Sequence, residues 1–83
     1  MSTVFVYVLK SLSSGKFYTG MTMDLPKRIR EHNTGKSKFT SGHMPWVLLY
    51  SEETTDWATA RAREKYLKTT SGKKWIQKQL EEK

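Results

Sequence analysis

The sequence predicts a mixed α/β domain with one layer of sheet, helices packed on it, and the order β-β-α-β-α-α. Three observations lead there. Two short β-rich runs near the start are separated by turn residues, a third apolar run lies mid-chain, and the remainder carries helical spacing with capping residues at its starts. At 83 residues the chain is expected to form one domain, residues 1–83.

The first strand is Val4–Leu9 and the second Lys16–Thr22. Ser11-Leu-Ser-Ser-Gly15 between them has turn chemistry, so the pair reads as an antiparallel hairpin. Gly20, near the end of the second run, marks a kink or a close approach of neighbouring atoms. Asp24-Leu-Pro26 opens a helix, because Asp accepts from free N–H groups and Pro needs no partner in the first turn. That helix is expected to reach Asn33, with Gly35 as its stop and with Leu25, Ile29 and His32 on one stripe beside Arg28.

Lys36–Pro45 is polar and aperiodic and reads as an exposed loop. Trp46–Tyr50 is the third strand. Thr54-Thr-Asp56 caps a second helix running to about Thr69, and Ser71-Gly72 starts a third, with Trp75, Ile76, Gln79 and Leu80 on one face.

Composition narrows the function. There is no cysteine, which excludes disulfides, thiolate metal sites and cysteine catalysis and fits a reducing cytoplasmic setting. The first apolar run is far shorter than the ~20 residues of a membrane helix and lacks a signal peptide's flanks, so a soluble, cytoplasmic protein with no membrane partner is expected. Fifteen Lys and Arg against eight Asp and Glu give a net charge of +7 and attract polyanions, of which nucleic acid is the commonest. Between Trp57 and Leu80 stand Arg61, Arg63, Lys65, Lys68, Lys73, Lys74 and Lys78, and a single acid, Glu64.

Trp57, Ala60, Glu64 and Leu67 fall on one stripe of the second helix, which points Glu64 toward the protein body. The rival stripe through Ala58, Ala62 and Tyr66 would instead leave Glu64 on a solvated face, paired with Arg61 or Lys68. On the residues alone both readings are open. His32 and His43 are far apart with no carboxylate at metal-ligand spacing, so a transition-metal site finds no support, and His32 reads as a surface or half-buried packing residue. No phosphate loop and no serine triad is present. Phosphodiester hydrolysis remains within reach of tyrosines, an arginine and one carboxylate, since Mg²⁺ commonly takes only one or two protein carboxylates.

Phe5-Val6-Tyr7, ten residues, and then Tyr18-Thr19-Gly20 resembles the paired tyrosine strands of the GIY-YIG nuclease family. Arg28, ten residues beyond Tyr18, matches that family's helix arginine, and Glu64 in Ala60-Arg-Ala-Arg-Glu-Lys-Tyr-Leu67 its helix glutamate. His32-Asn33, Pro45-Trp46 and Ser71–Trp75 are similar to the short, stand-alone branch. The resemblance implies a three-stranded antiparallel sheet flanked by helices and a divalent-metal-dependent endonuclease acting on DNA, with structured or damaged DNA as candidate substrates. In that reading Tyr7 is the general base, Tyr18 positions water or phosphate, Arg28 neutralises the phosphate, and Glu64 holds one Mg²⁺ or Mn²⁺. Lys16, Arg28, His32, Lys36, Lys38, Arg61 and Lys68 are expected to meet the nucleic acid. Phe5 stands where the motif has glycine, Thr19 where an aliphatic residue is usual, and the asparagine many members carry near the domain's end has no match. The alternative is a non-catalytic basic nucleic-acid-binding module, or an accessory subunit of a larger nuclease complex.

Overall fold

A computed structural model describes residues 3–36 and 38–81, except for the side chains of Lys38 and Phe39. Strand β1 spans Val4–Ser11 and β2 Phe17–Thr22, helix α1 spans Leu25–Asn33 and a one-turn α2 Lys38–Ser41, then come β3 at Trp46–Thr54, α3 at Trp57–Leu67 and α4 at Thr70–Glu81. The sheet is antiparallel in the order β2-β1-β3. This is the predicted mixed α/β class and element order, with one short helix added.

Central β1 is covered on both faces, which is why its sequence reads as an unbroken apolar run rather than an alternation. Val4, Val6 and Val8 pack against Ala60 and Leu67 of α3 and Ile76 of α4. Tyr7 and Leu9 point the other way, onto Trp46, Tyr18 and the α1 residues Leu25 and Ile29. Side chains alternate along a strand, so odd and even residues of β1 build two separate cores. Each fully buried aliphatic side chain contributes about 1.5–3 kcal/mol. A bulge between Val8 and Leu9 shifts the pairing onto β3, from Val8–Tyr50 to Leu9–Leu48.

The predicted caps are present. Asp24 accepts from the Lys27 N–H and Asp56 from the Thr59 N–H. The α3–α4 junction is tight because Gly72 lies against the Tyr66 carbonyl oxygen, where any Cβ would collide. Arg63 forks onto Glu52 at 2.7 and 2.9 Å, tying α3 to β3, and so is held by the fold.

Two expectations are corrected. Lys36–Pro45 is not a plain exposed loop: it holds α2, and Thr40 within it is 0% exposed. Thr40 is buried because its neighbours satisfy its polar groups, its carbonyl accepting from Trp46 Nε1 at 2.9 Å and its hydroxyl bonding His32 at 3.0 Å. Trp57, expected inward, is 49% exposed at the first residue of α3, and burial of that stripe begins one turn later at Ala60.

Candidate active site

Tyr7 is paired across the strands with Gly20, and Tyr18, two residues before Gly20, shares that face. Their ring centroids are 6.3 Å apart. A Cβ at Gly20 would come within 2.6 Å of the Tyr7 hydroxyl oxygen, so the glycine leaves the space the phenol occupies. Helix α1 delivers His32 onto both rings, 5.9 Å from Tyr7 and 4.8 Å from Tyr18.

A hydrogen-bonded chain runs through this cluster. The Tyr7 hydroxyl and His32 Nε2 are 3.0 Å apart, as are His32 Nδ1 and the Thr40 hydroxyl. With the phenol donating to Nε2, Nδ1 carries the imidazole proton and donates to Thr40. The Arg28 charge acts on the Tyr7 phenol, and Arg28 Nη1 donates to Glu31 Oε1 at 3.0 Å. Burial pushes the Tyr7 phenol up to about 12, against the opposing pull of Arg28. Burial first, then the Arg28 charge, pulls His32 below its ordinary value. The resting protein therefore holds a protonated phenol against a neutral imidazole.

Glu64 lies on α3, on the other side of the sheet from α1, and its charge nevertheless acts on Tyr7. Its side chain is 19% exposed and Oε2 is 3.4 Å from Lys68 Nζ. Ala60 and Leu67 beside it are buried while Ala58, Ala62 and Tyr66 are exposed, which decides between the two stripes left open by the sequence. Among the described residues no three His, Asp or Glu side chains gather into a metal-binding group. The donor set is one partly exposed carboxylate, which fits a hard cation completed by water and phosphate oxygens and does not fit a zinc-type site.

The remaining predicted residues are scattered. Lys68 reaches Glu64, while Lys16 is exposed at the entry to β2. Arg61, one turn before Glu64, is exposed, and exposed Lys36 lies with Lys27 and Arg30 around a shallow depression on the α1 side. The Lys38 side chain lies outside the described residues. His32 is corrected: at 0% exposure it has no surface to offer a nucleic acid, and its two nitrogens are used internally. Sequence reasoning missed Glu31 and Thr40. Glu31 was findable as the residue three after Arg28 on a helix. Thr40 carried no signal, because its partner sits across an aperiodic polar segment.

The family model of the GIY-YIG catalytic domain matches residues 3–79. The chain belongs to the GIY-YIG family. This GIY-YIG domain is similar to UPF0213 proteins. One from Streptococcus agalactiae is 49% identical over 49 residues, 58% of this chain and 54% of that protein, so the match spans about half of that relative's length. One from Halobacterium salinarum is 39% identical over 67 residues, covering 80% of this chain and 86% of that protein. The solution NMR structure of a UPF0213 protein from Bacillus halodurans aligns with a TM-score of 0.55 at 30% identity, over 89% of this chain and 81% of that one. Membership places the domain in a nuclease family. Among its described residues, no helix is long and apolar enough to cross a membrane.

Proposed function

We propose that this protein is a divalent-metal-dependent endonuclease that hydrolyses phosphodiester bonds in DNA, with structured or damaged DNA as its substrate class. The observation that carries the reading is the hydrogen-bonded series Tyr7, His32, Thr40, built around a space that Gly20 keeps open and acted on by the Arg28 charge.

Hydrolysis needs a proton removed from water and charge neutralised on the phosphoryl oxygens. Tyr7 takes the proton from water as its own passes to His32 Nε2, and Thr40 holds the imidazole in the accepting tautomer. A phenol pushed up to about 12 facing an imidazole held below its ordinary value makes unassisted transfer between them strongly uphill. Positive charge at the site must therefore lower the phenol before it works. Arg28 supplies part of that charge and meets the phosphate, and Tyr18 positions the water or phosphate beside Tyr7. Glu64 would hold a single Mg²⁺ or Mn²⁺, which when bound adds charge neutralisation at the phosphate.

The binding-module reading draws on one observation, that Tyr7 is 1% exposed and keeps its proton. The test is incubation of the 83-residue chain with nicked, branched, single-stranded and duplex DNA in Mg²⁺ or Mn²⁺. Cleavage that disappears with EDTA and in Tyr7→Phe is expected. Binding without cleavage on every substrate would leave the module reading in its place.

A further inference from the structure

Beside the tyrosine cluster, the free edge of β2 carries two adjoining cavities that the proposed chemistry does not use. One, of about 310 Å³, is lined by Phe17, Tyr18, Thr19, Lys68 and Lys73, and the second, of about 450 Å³, by Gly15, Lys16, Phe17 and Lys73. They share Phe17 and Lys73 and so form one groove between β2 and the α3–α4 junction.

We infer that this groove is a nucleotide subsite, which takes one unpaired nucleobase against Phe17 and its flanking phosphates on Lys16, Lys68 and Lys73, next to the phosphate being cleaved. The inference rests on the nuclease reading and deepens it by naming the substrate as nucleic acid with an unstacked nucleotide at the cut.

Size, charge and position carry it. Small-molecule sites begin near ~300 Å³, so the cavity of about 310 Å³ suits one ring system and the adjoining one leaves room for its phosphates. Three ammonium groups and no carboxylate stand among the described lining residues, so the groove selects an anion. Phe17 offers an aromatic face, and bases stack on such faces without sequence preference. Among the described residues the outer edge of β2 has no strand neighbour, so the edge of a base can approach its backbone. The groove adjoins the site across the edge of β2: Tyr18 lines it while its ring lies beside Tyr7 and His32 on the face opposite Phe17, and Lys68 is ion-paired with Glu64. A base can enter such a pocket only after leaving its stack, which is easiest where it is already unpaired.

The test has a binding arm and a cleavage arm. Deoxyadenosine 5′-monophosphate titrated into the 83-residue chain should shift the NMR resonances of Phe17, Thr19 and Lys73, and inorganic phosphate should shift them far less. In cleavage, removing the base of the nucleotide beside the mapped cut should lower kcat/KM by about 5- to 100-fold, the range that one stacked base supports. Phe17→Leu keeps apolar bulk against the core, and with Lys73→Gln it should make intact and abasic substrates equal. Lys74→Gln, the same charge change on an exposed neighbour, should keep the preference. The subsite is overturned if the nucleotide shifts only α1 residues such as Lys27 and Arg30, if phosphate alone reproduces the shifts, or if both variants keep the preference. The two readings fail separately. Normal cleavage by Glu64→Gln with the nucleotide still bound sinks the catalytic assignment alone, and loss of cleavage in Glu64→Gln with no nucleotide shift at Phe17 sinks the subsite alone.

Discussion

The hydroxyl of Tyr7 lies 3.0 Å from His32 Nε2, and both side chains are all but sealed from solvent, at 1% and 0% exposure. A phenol and an imidazole in contact inside a protein are a proton donor and acceptor with one partner each to lose. That makes the pair testable from either side.

Tyr7→Phe removes the donor and keeps the ring. His32 Nε2 is then a buried acceptor without a partner, which costs about 1–3 kcal/mol of stability. Cleavage should fall by about 10² to 10⁴-fold if Tyr7 is the base. Stability measured by urea midpoint and activity measured on one substrate separate these effects. A folded variant that cleaves normally removes Tyr7 from the chemistry.

His32 sets a pH dependence whose sign follows from its depressed folded value. The unfolded chain takes up the proton near 6.5 while the folded protein still refuses it, so its contribution is complete above that value and lost as pH falls below it. The loss should be at most about 1.4 kcal/mol per pH unit, starting at ~6.5 and above the range where carboxylates titrate. Cleavage should decline in the same window, because an imidazolium cannot accept the Tyr7 proton. Urea midpoints between pH 7.5 and 5.5, compared with His32→Gln, check it: the wild-type midpoint should fall and the variant's hold.

Gly20→Ala tests the space beside the phenol. The new Cβ would lie 2.6 Å from the Tyr7 oxygen and 2.8 Å from its ring carbon, and Tyr7 is held by His32 and cannot swing aside freely. Overpacking of this kind costs about 1–3 kcal/mol. Activity should fall further than stability does, since the displaced atom is the reacting one. Equal, modest effects on both would assign Gly20 to packing.

The framework was legible because its signals are local. Asp24 and Asp56 announce their helices by the free N–H groups they accept, and β1 by a length too short for a helix. The inward stripe on α3 could be drawn but not chosen, because Ala58, Ala62 and Tyr66 fit the period as well as Ala60 and Leu67 do. Only the sheet's position decides between them. His32 was misjudged for a related reason: its burial depends on Thr40, and a hydrogen bond across an aperiodic segment leaves no spacing to read. The Arg28–Glu31 pair was written in the helix period and overlooked.

That pair predicts a gain of function. In the resting protein Arg28 Nη1 is held by Glu31 Oε1 at 3.0 Å, and the carboxylate offsets part of the charge that a phosphate would meet. Glu31→Gln should tighten DNA binding a few-fold at low salt, with the difference shrinking as salt rises. Arg28→Ala should lose cleavage and affinity together, because a phosphate contact acts in ground and transition states alike. Salt-dependent Kd values for the two variants check this. Unchanged affinity in both would remove Arg28 from the phosphate site.

Glu64→Gln separates catalysis from binding. The substitution keeps size and helix propensity and removes the charge that would anchor Mg²⁺. Glu64 already has Lys68 at 3.4 Å, and that lysine is more than half exposed, so breaking their pair should change stability by less than about 1 kcal/mol. Cleavage should drop to background, while DNA binding holds or tightens as Lys68 is released to meet phosphate. Mn²⁺ gives a readout independent of turnover: its paramagnetic broadening should centre on Glu64 and reach Tyr7 and Tyr18, and should vanish in the variant. Broadening spread over other carboxylates, with cleavage intact in Glu64→Gln, would make the Glu64–Lys68 pair a helix contact and leave the metal without an anchor on α3.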